Sequence, residues 1–287
     1  MSTAGSNRRG KLRFGFVTCV ELGLSCLEEI YKVGGRIDLL MTLHDDRAVR
    51  KSGRIYLDNF SQRHGVPLVK IGHINDADAV EAVLANEIDW LFIVGWSQIA
   101  GAEMLAAPAR GVVGMHPTLL PIGRGRAAVP WAIIRGLERT GVTMFVLDEG
   151  VDTGPILGQV EIPIEPNEDA STLYVKANHA HRELIRRVWP ELVEDTVAAV
   201  PQDESLATEW PGRKPEDGTI QPSMTVAEVD RLVRAVTTPY PGAIWDQDGV
   251  RWKVWRGEPG VAANASLVLT LSDGQYSCTE VERESAV

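Results

Sequence analysis

The sequence predicts an α/β protein: a doubly wound, mainly parallel sheet followed by a small β-rich region. Three observations carry this expectation. Apolar runs of four to six residues alternate with helix-spaced segments as far as about residue 165. Several runs are apolar throughout, as strands covered on both faces must be. Beyond residue 222 the pattern becomes short strand-like segments separated by turn residues.

The elements follow in order. Residues 12–17 read as a buried first strand and 22–33 as a helix. A second strand is expected at 37–43. A helix follows at 55–64, ended by Gly65 and Pro67. Residues 68–71 form a third strand. Residues 76–86 are helical, capped by Asn75 or Asp76. Strands at 90–94 and 111–115 flank a short helix at 101–107. A helix at 130–136, strands at 141–147 and 157–164, and a long helix at 170–199 complete the first region. Residues 201–222 shift to Pro, Gly and charge and read as a linker. Thr225 then caps a helix at 226–236, with Glu228 at the capping-box position. Strand-like segments lie near Ile244 and at 250–255, 266–271 and 276–281. The expected division is a catalytic domain over 1–200, a linker over 201–222 and a β-rich subdomain over 223–287. That agrees with 287 residues at roughly 150 per domain.

Composition excludes several classes. Hydrophobic residues are 44% and charged residues 24%, ordinary globular values that exclude wholesale disorder. No apolar run reaches the roughly 18 residues of a membrane span. The start is polar, with Arg8 and Arg9 and no apolar stretch behind them, so no secretory signal is expected. Thirty-nine acids against 29 bases give a net charge of -10, which disfavours a general polyanion binder. Cys19, Cys26 and Cys278 fit no metal or redox spacing and read as buried thiols in a reducing cytoplasm.

An open α/β sheet binds its ligand beyond the carboxyl ends of its strands. That directs attention to three loops, beginning at Gly95, His116 and Asp148. His116 ends an apolar strand, where an imidazole can move a proton near neutral pH. Gly123-Arg124-Gly125-Arg126 is basic and glycine-rich ahead of a helix. It is expected to cradle an anionic group through backbone N–H groups and guanidinium forks. Asp152 stands between Gly150 and Gly154, with a carboxylate able to orient a neighbour. No dinucleotide fingerprint follows the first strand, which disfavours a nicotinamide dehydrogenase. His179 and His181, two apart on a helix, diverge, so no metal site is expected.

Together these segments resemble the enzymes that use 10-formyltetrahydrofolate to formylate amines. The resemblance rests on His116-Pro117-Thr118-Leu119-Leu120-Pro121, Arg124-Gly125-Arg126-Ala127, Pro130-Trp131-Ala132, Thr140-Gly141-Val142-Thr143 and Asp152-Thr153-Gly154. Arg213 to Gly218, Leu232 to Val236 and Pro239 to Ala243 look like the carboxyl-terminal part of the amino-sugar N-formyltransferases. The UDP-4-amino-4-deoxyarabinose formyltransferase is among these.

The resemblance implies a Rossmann-like formyltransferase fold and 10-formyltetrahydrofolate as formyl donor. It also implies an Asn-His-Asp catalytic set, matched at His116 and Asp152. The asparagine position is Gly114, which offers no donor. Loss of an oxyanion donor typically costs about 2.7–4 kcal/mol. Three accounts stay open: Ser97, Gln98 or a water replaces the donor; the gap admits a different one-carbon group; or folate binding has outlived the reaction. The implied folate-binding residues are Gly95, Trp96, Ser97, Gln98, Asp148, Gly150 and Val151, with Trp96 either covering the pterin or packing the rim. The implied substrate-binding residues are Pro117, Thr118, Arg124 and Arg126. The expected acceptor is an amine on a nucleotide-linked sugar, with aminoacyl-tRNA or a small secondary-metabolite amine as alternatives. Residues 122–139 hold four arginines against one glutamate, a small basic patch for tRNA. A cytoplasmic homodimer fits the family.

Overall fold

The computed structural model describes residues 11–47 and 53–284. The polar start, read above as no signal, lies outside them. The elements in chain order are β1 (Phe14–Val17), α1 (Glu21–Lys32), β2 (Leu39–Leu43), α2 (Asp58–His64), β3 (Leu68–Ile71), α3 (Ala77–Ala85), β4 (Trp90–Ile93), α4 (Ala102–Ala106), β5 (Gly111–His116), β6 (Arg124–Gly125), α5 (Ala128–Ile134), β7 (Arg139–Val146), β8 (Ile156–Pro163), α6 (Ala170–Val193), β9 (Glu209–Trp210), α7 (Val226–Val236), β10 (Ala243–Gln247), β11 (Val250–Pro259), β12 (Leu267–Thr270) and β13 (Gln275–Arg283).

A seven-stranded sheet has the order β3-β2-β1-β4-β5-β7-β8, and β10-β11-β13-β12 form a second sheet. Neighbours among β1 to β5 pair in parallel. The second sheet is antiparallel.

The described chain divides into two compact units, each discontinuous in sequence. One comprises Met1–Met115, Met144–Gly158 and His181–Gln202; the other comprises His116–Thr143, Gln159–Ala180 and Asp203–Val287. These cuts differ from the linear division expected near residue 200, because β5, β7 and β8 each run through both units.

In the first unit every residue of β1, β2 and β4 is buried. Cys26, Leu27 and Ile30 of α1 are buried, and the Phe14 ring meets Trp189 at 4.5 Å between centroids. Cys19, Cys26 and Cys278 are free and buried. Burial pushes the Cys26 thiol up to about 12, which removes it as a nucleophile at neutral pH. The helix expected to reach residue 199 stops at Val193. Asp195 takes φ +58°, the left-handed conformation that ends helices, and Val200 instead bridges to Ile156.

In the second unit α7 buries Val229, Leu232, Val233, Ala235 and Val236, and the Thr225–Glu228 capping box is formed. The expected linker is ordered secondary structure. It carries 3₁₀ turns at Glu204–Leu206 and Pro215–Gly218 and strand β9, whose Trp210 is buried. Among the described residues no helix is long and apolar enough to cross a membrane.

Candidate active site

His116 closes β5 and is buried. Its Nε2 lies 2.8 Å from the Gly123 carbonyl oxygen. A carbonyl can only accept, so Nε2 carries the hydrogen and proton exchange falls to Nδ1. The loop behind it is fixed by one hydroxyl. Thr143 Oγ1 donates to the Thr118 carbonyl at 2.7 Å and accepts from Leu120 N at 3.1 Å. Gln159 Nε2 donates to that hydroxyl and to the Leu120 carbonyl. Thr118, expected to touch substrate, is itself buried; its carbonyl belongs to this scaffold, whereas Pro117 is partly exposed.

Gly114 precedes His116 by two residues on the same strand face. A Cβ built there would stand 2.5 Å from Leu147 Cδ2 and 3.1 Å from Cγ. Leu147 is partly buried against the core of the first unit. It therefore fills the volume a larger residue would take, which contradicts the expectation of a gap for a bulkier one-carbon group. Gln98 is largely engaged in its own loop. Its Oε1 accepts from Ile74 N at 2.8 Å and from Trp96 Nε1 at 3.2 Å, and its Nε2 donates to the Gly72 carbonyl. The amide ties the loop after β4 to the segment after β3.

The rim of the first unit has two loops. After β4, Gly95 takes φ +65°, and a side chain there would strike Val20 Cγ2 at 2.4 Å. Trp96 packs on Val20, Cys19 and Leu43, which favours its reading as rim packing. Ser97 and Ile99 are exposed, Ile99 at 71%. After β7, Asp148 Oδ1 accepts from Thr153 Oγ1 at 2.6 Å and Gly150 N at 3.1 Å. Asp148 thus shapes the turn that was expected to hold folate. Asp152 is partly exposed with φ +56°, a conformation that costs a non-glycine residue about 1–3 kcal/mol and clusters at functional positions. Gln202 clamps this loop by donating to the Asp152 and Gly154 carbonyls at 2.8 and 2.7 Å. Val151 projects outward, 56% exposed.

In the second unit the Gly123–Arg126 turn is not an anion cradle. Gly123 N donates to Thr208 Oγ1, Arg124 N to the Thr208 carbonyl and Arg126 N to the Trp210 carbonyl. Thr208 and the β6–β9 pairing that follows it have taken these N–H groups. Arg124 is buried and grips Glu204 with both ends of its fork, at 2.9 and 2.7 Å. This holds the Glu204 carboxyl below its ordinary range. Arg126, by contrast, is exposed.

Sequence reasoning missed Leu147, Gln202 and Glu204. Their partners lie 33, 48 and 80 residues away or more in the chain, beyond any local pattern. Thr143 and Gln159 lay within the resembling stretch but carried no sign of their target.

A buried histidine at the end of β5 and a glycine-framed aspartate in the loop after β7 are compatible with group transfer, and the fold alone does not say which. Comparison makes the class specific. Residues 57–189 match the formyl transferase family, and residues 213–277 match the formyl transferase C-terminal domain. Methionyl-tRNA formyltransferase of Geobacillus thermodenitrificans is 30% identical over 273 residues, covering 93% of this chain and 85% of that protein. The same enzyme of Bacillus cytotoxicus is 35% identical over 204 residues, covering 71% of this chain and 65% of that protein. An N-formyltransferase from Helicobacter canadensis, solved with folinic acid and dTDP-3-aminofucose, superposes with a TM-score of 0.73 at 17% identity. That match covers 95% of this chain and all of the other. A sugar 3N-formyltransferase solved with dTDP and 5-N-formyl-tetrahydrofolate gives a TM-score of 0.69 at 16% identity, covering 96% of this chain and 98% of that one.

The chain belongs to the formyltransferase family and is a formyl-transferring enzyme. The family's formyl donor is 10-formyltetrahydrofolate. Ile99 and Val151 are exposed apolar side chains on the two rim loops.

Proposed function

We propose that the chain moves a formyl group from 10-formyltetrahydrofolate to a primary amine on a nucleotide-linked amino sugar, in the cytoplasm. The observation that carries this reading is the bond from His116 Nε2 to the Gly123 carbonyl. It fixes the imidazole so that Nδ1 is the nitrogen that takes the amine proton. Bound 10-formyltetrahydrofolate supplies the activated formyl carbon. The Asp152 carboxylate stabilises the charged imidazolium, a role carried over from the family resemblance. With Leu147 packed over Gly114, the imidazolium formed once His116 has taken the amine proton faces the developing negative charge. The -10 charge supports a small acceptor over a long polyanion.

A second reading, methionyl-tRNA as acceptor, is favoured by the curated relatives at 30% and 35% identity. The deciding assay is release of tetrahydrofolate from 10-formyltetrahydrofolate, run with nucleotide-linked amino sugars and, separately, with methionyl-tRNA. His116→Ala is the control. Release that needs both an amino sugar and His116 is the expected result. Release with methionyl-tRNA alone would establish the second reading. Bound folate with no release in either arm would mean a pocket kept without its reaction.

A further inference from the structure

Two arginines of the second unit lie over one indole, and a third, Arg126, packs beside Gly212 next to one of them. The Arg213 guanidinium sits 4.8 Å from the centre of the Trp131 ring, and the Arg135 guanidinium 5.4 Å from it. Arg135 also lies 5.5 Å from the Trp210 ring. Arg126 packs along the backbone at Gly212, where a Cβ would stand 3.5 Å from Arg126 Cδ. The frame is rigid. Trp131 Nε1 donates to the Pro211 carbonyl at 2.8 Å, and Arg213 Nη2 donates to the Asp217 carbonyl at 2.6 Å. Ala127, directly after Arg126, takes φ +55°.

These arginines differ from the other guanidiniums nearby. Arg124 is neutralised by Glu204, and Arg234 by Asp230. Among the described residues, no carboxylate lies within ion-pair distance of Arg126, Arg135 or Arg213. Arg126 and Arg135 are exposed, and Arg213 is half-buried. Burial holds the Arg213 guanidinium below its ordinary value. Stacking occupies the guanidinium faces on Trp131 and Trp210 but leaves the in-plane N–H donors. Those donors match phosphate oxygens two at a time.

We infer that Arg135 and Arg213, held over Trp131, and Arg126 beside Gly212 form the seat for the diphosphate of the acceptor. This rests on the nucleotide-linked acceptor proposed above and relocates its anion site from Arg124 and the turn's backbone to a side-chain cluster. A diphosphate is favoured over an RNA strand because the charge is confined to one cluster on a chain of net charge -10. A polynucleotide needs an extended basic track.

Calorimetric titration of the full chain tests this, using UDP, inorganic pyrophosphate, 5-formyltetrahydrofolate and bulk tRNA as separate ligands. UDP and pyrophosphate are expected to bind and to compete with each other. The Arg126→Glu/Arg135→Glu pair is expected to weaken both by about tenfold or more. Arg213→Lys keeps the charge but loses the fork, and is expected to weaken both severalfold. Unchanged 5-formyltetrahydrofolate affinity in these variants shows that they are folded. The inference is overturned if the unaltered chain binds 5-formyltetrahydrofolate but neither UDP nor pyrophosphate. Equal UDP affinity in folded variants would overturn it as well. Binding of tRNA alone, with a steep salt dependence, would reassign the cluster to RNA. Failure of 5-formyltetrahydrofolate itself to bind would break the formyl-transfer reading, whatever UDP does.

Discussion

The rim of the first unit and the arginine cluster of the second are built on opposite principles. The rim is backbone and apolar side chains. Gly95 and Asp152 hold left-handed conformations, and Ile99 and Val151 stand exposed. The cluster is charge on aromatic rings, and the backbone N–H of Arg126 is taken by β9. The first surface is the one proposed for folate, and the second is the one proposed for the acceptor's phosphates. The lesson is that glycine richness does not announce an anion site. Glycines frame both the turn at 123–125 and the loop at 150–154. In each, hydrogen bonds to distant residues decide which backbone groups remain open.

Four substitutions can break or sharpen that contrast. The largest effect is expected from His116→Ala, which removes the imidazole proposed to take the amine proton. Acceptor-dependent turnover should fall by about 10²–10⁴-fold, with 5-formyltetrahydrofolate affinity retained. Loss of folate affinity with unchanged turnover of what binds would instead make His116 a structural residue. Next, Val151→Asp places a charge on the apolar rim. Folate affinity should drop about tenfold, since burying a valine contributes about 1.5–3 kcal/mol when complete. UDP affinity should stay unchanged. A parallel loss of UDP affinity would dissolve the division of labour.

Gly114→Asn comes third. Its Cβ meets Leu147, so overpacking should destabilise the chain by about 1–3 kcal/mol, seen as a lower melting temperature. Adding Leu147→Ala should restore part of the loss and let the amide reach the site, raising turnover. A single variant as stable as the parent would show that Leu147 yields freely.

The smallest effect belongs to Glu204→Gln. Arg124 lowers the Glu204 carboxyl, so the pair's contribution is present above the ordinary value of 4.5. It is lost as pH falls through the folded-state value. The melting-temperature difference from the parent should therefore be modest near neutrality, because Glu204 is exposed, and vanish in acid. A difference that persists in acid would place the stabilisation elsewhere.

Much of this was legible in the chain itself. Uniform apolar runs such as Trp90 to Val94 fix a two-face-covered strand, because no amphipathic alternative exists for them. Thr225 and Glu228 set the start of α7 through a bond spanning three residues. His116 ends β5 and Asp152 lies in the loop after β7, so the α/β rule points to both loops without any knowledge of neighbours. These are local statements, and local chemistry suffices for them.

What the sequence could not decide depended on partners far along the chain. Nothing near Arg124 marks it as half of an ion pair with a residue 80 positions later, and nothing near Arg126 marks it as exposed. The linker composition of 201–222 concealed Thr208 and β9, which together take the turn's N–H groups. Gly114 read as a missing donor and an open space. Only packing against Leu147 shows that the space is filled. Periodicity and capping act over a few residues and survive in the sequence. Burial, ion pairing and the occupation of backbone donors are properties of which segments meet, and only the tertiary structure sets those.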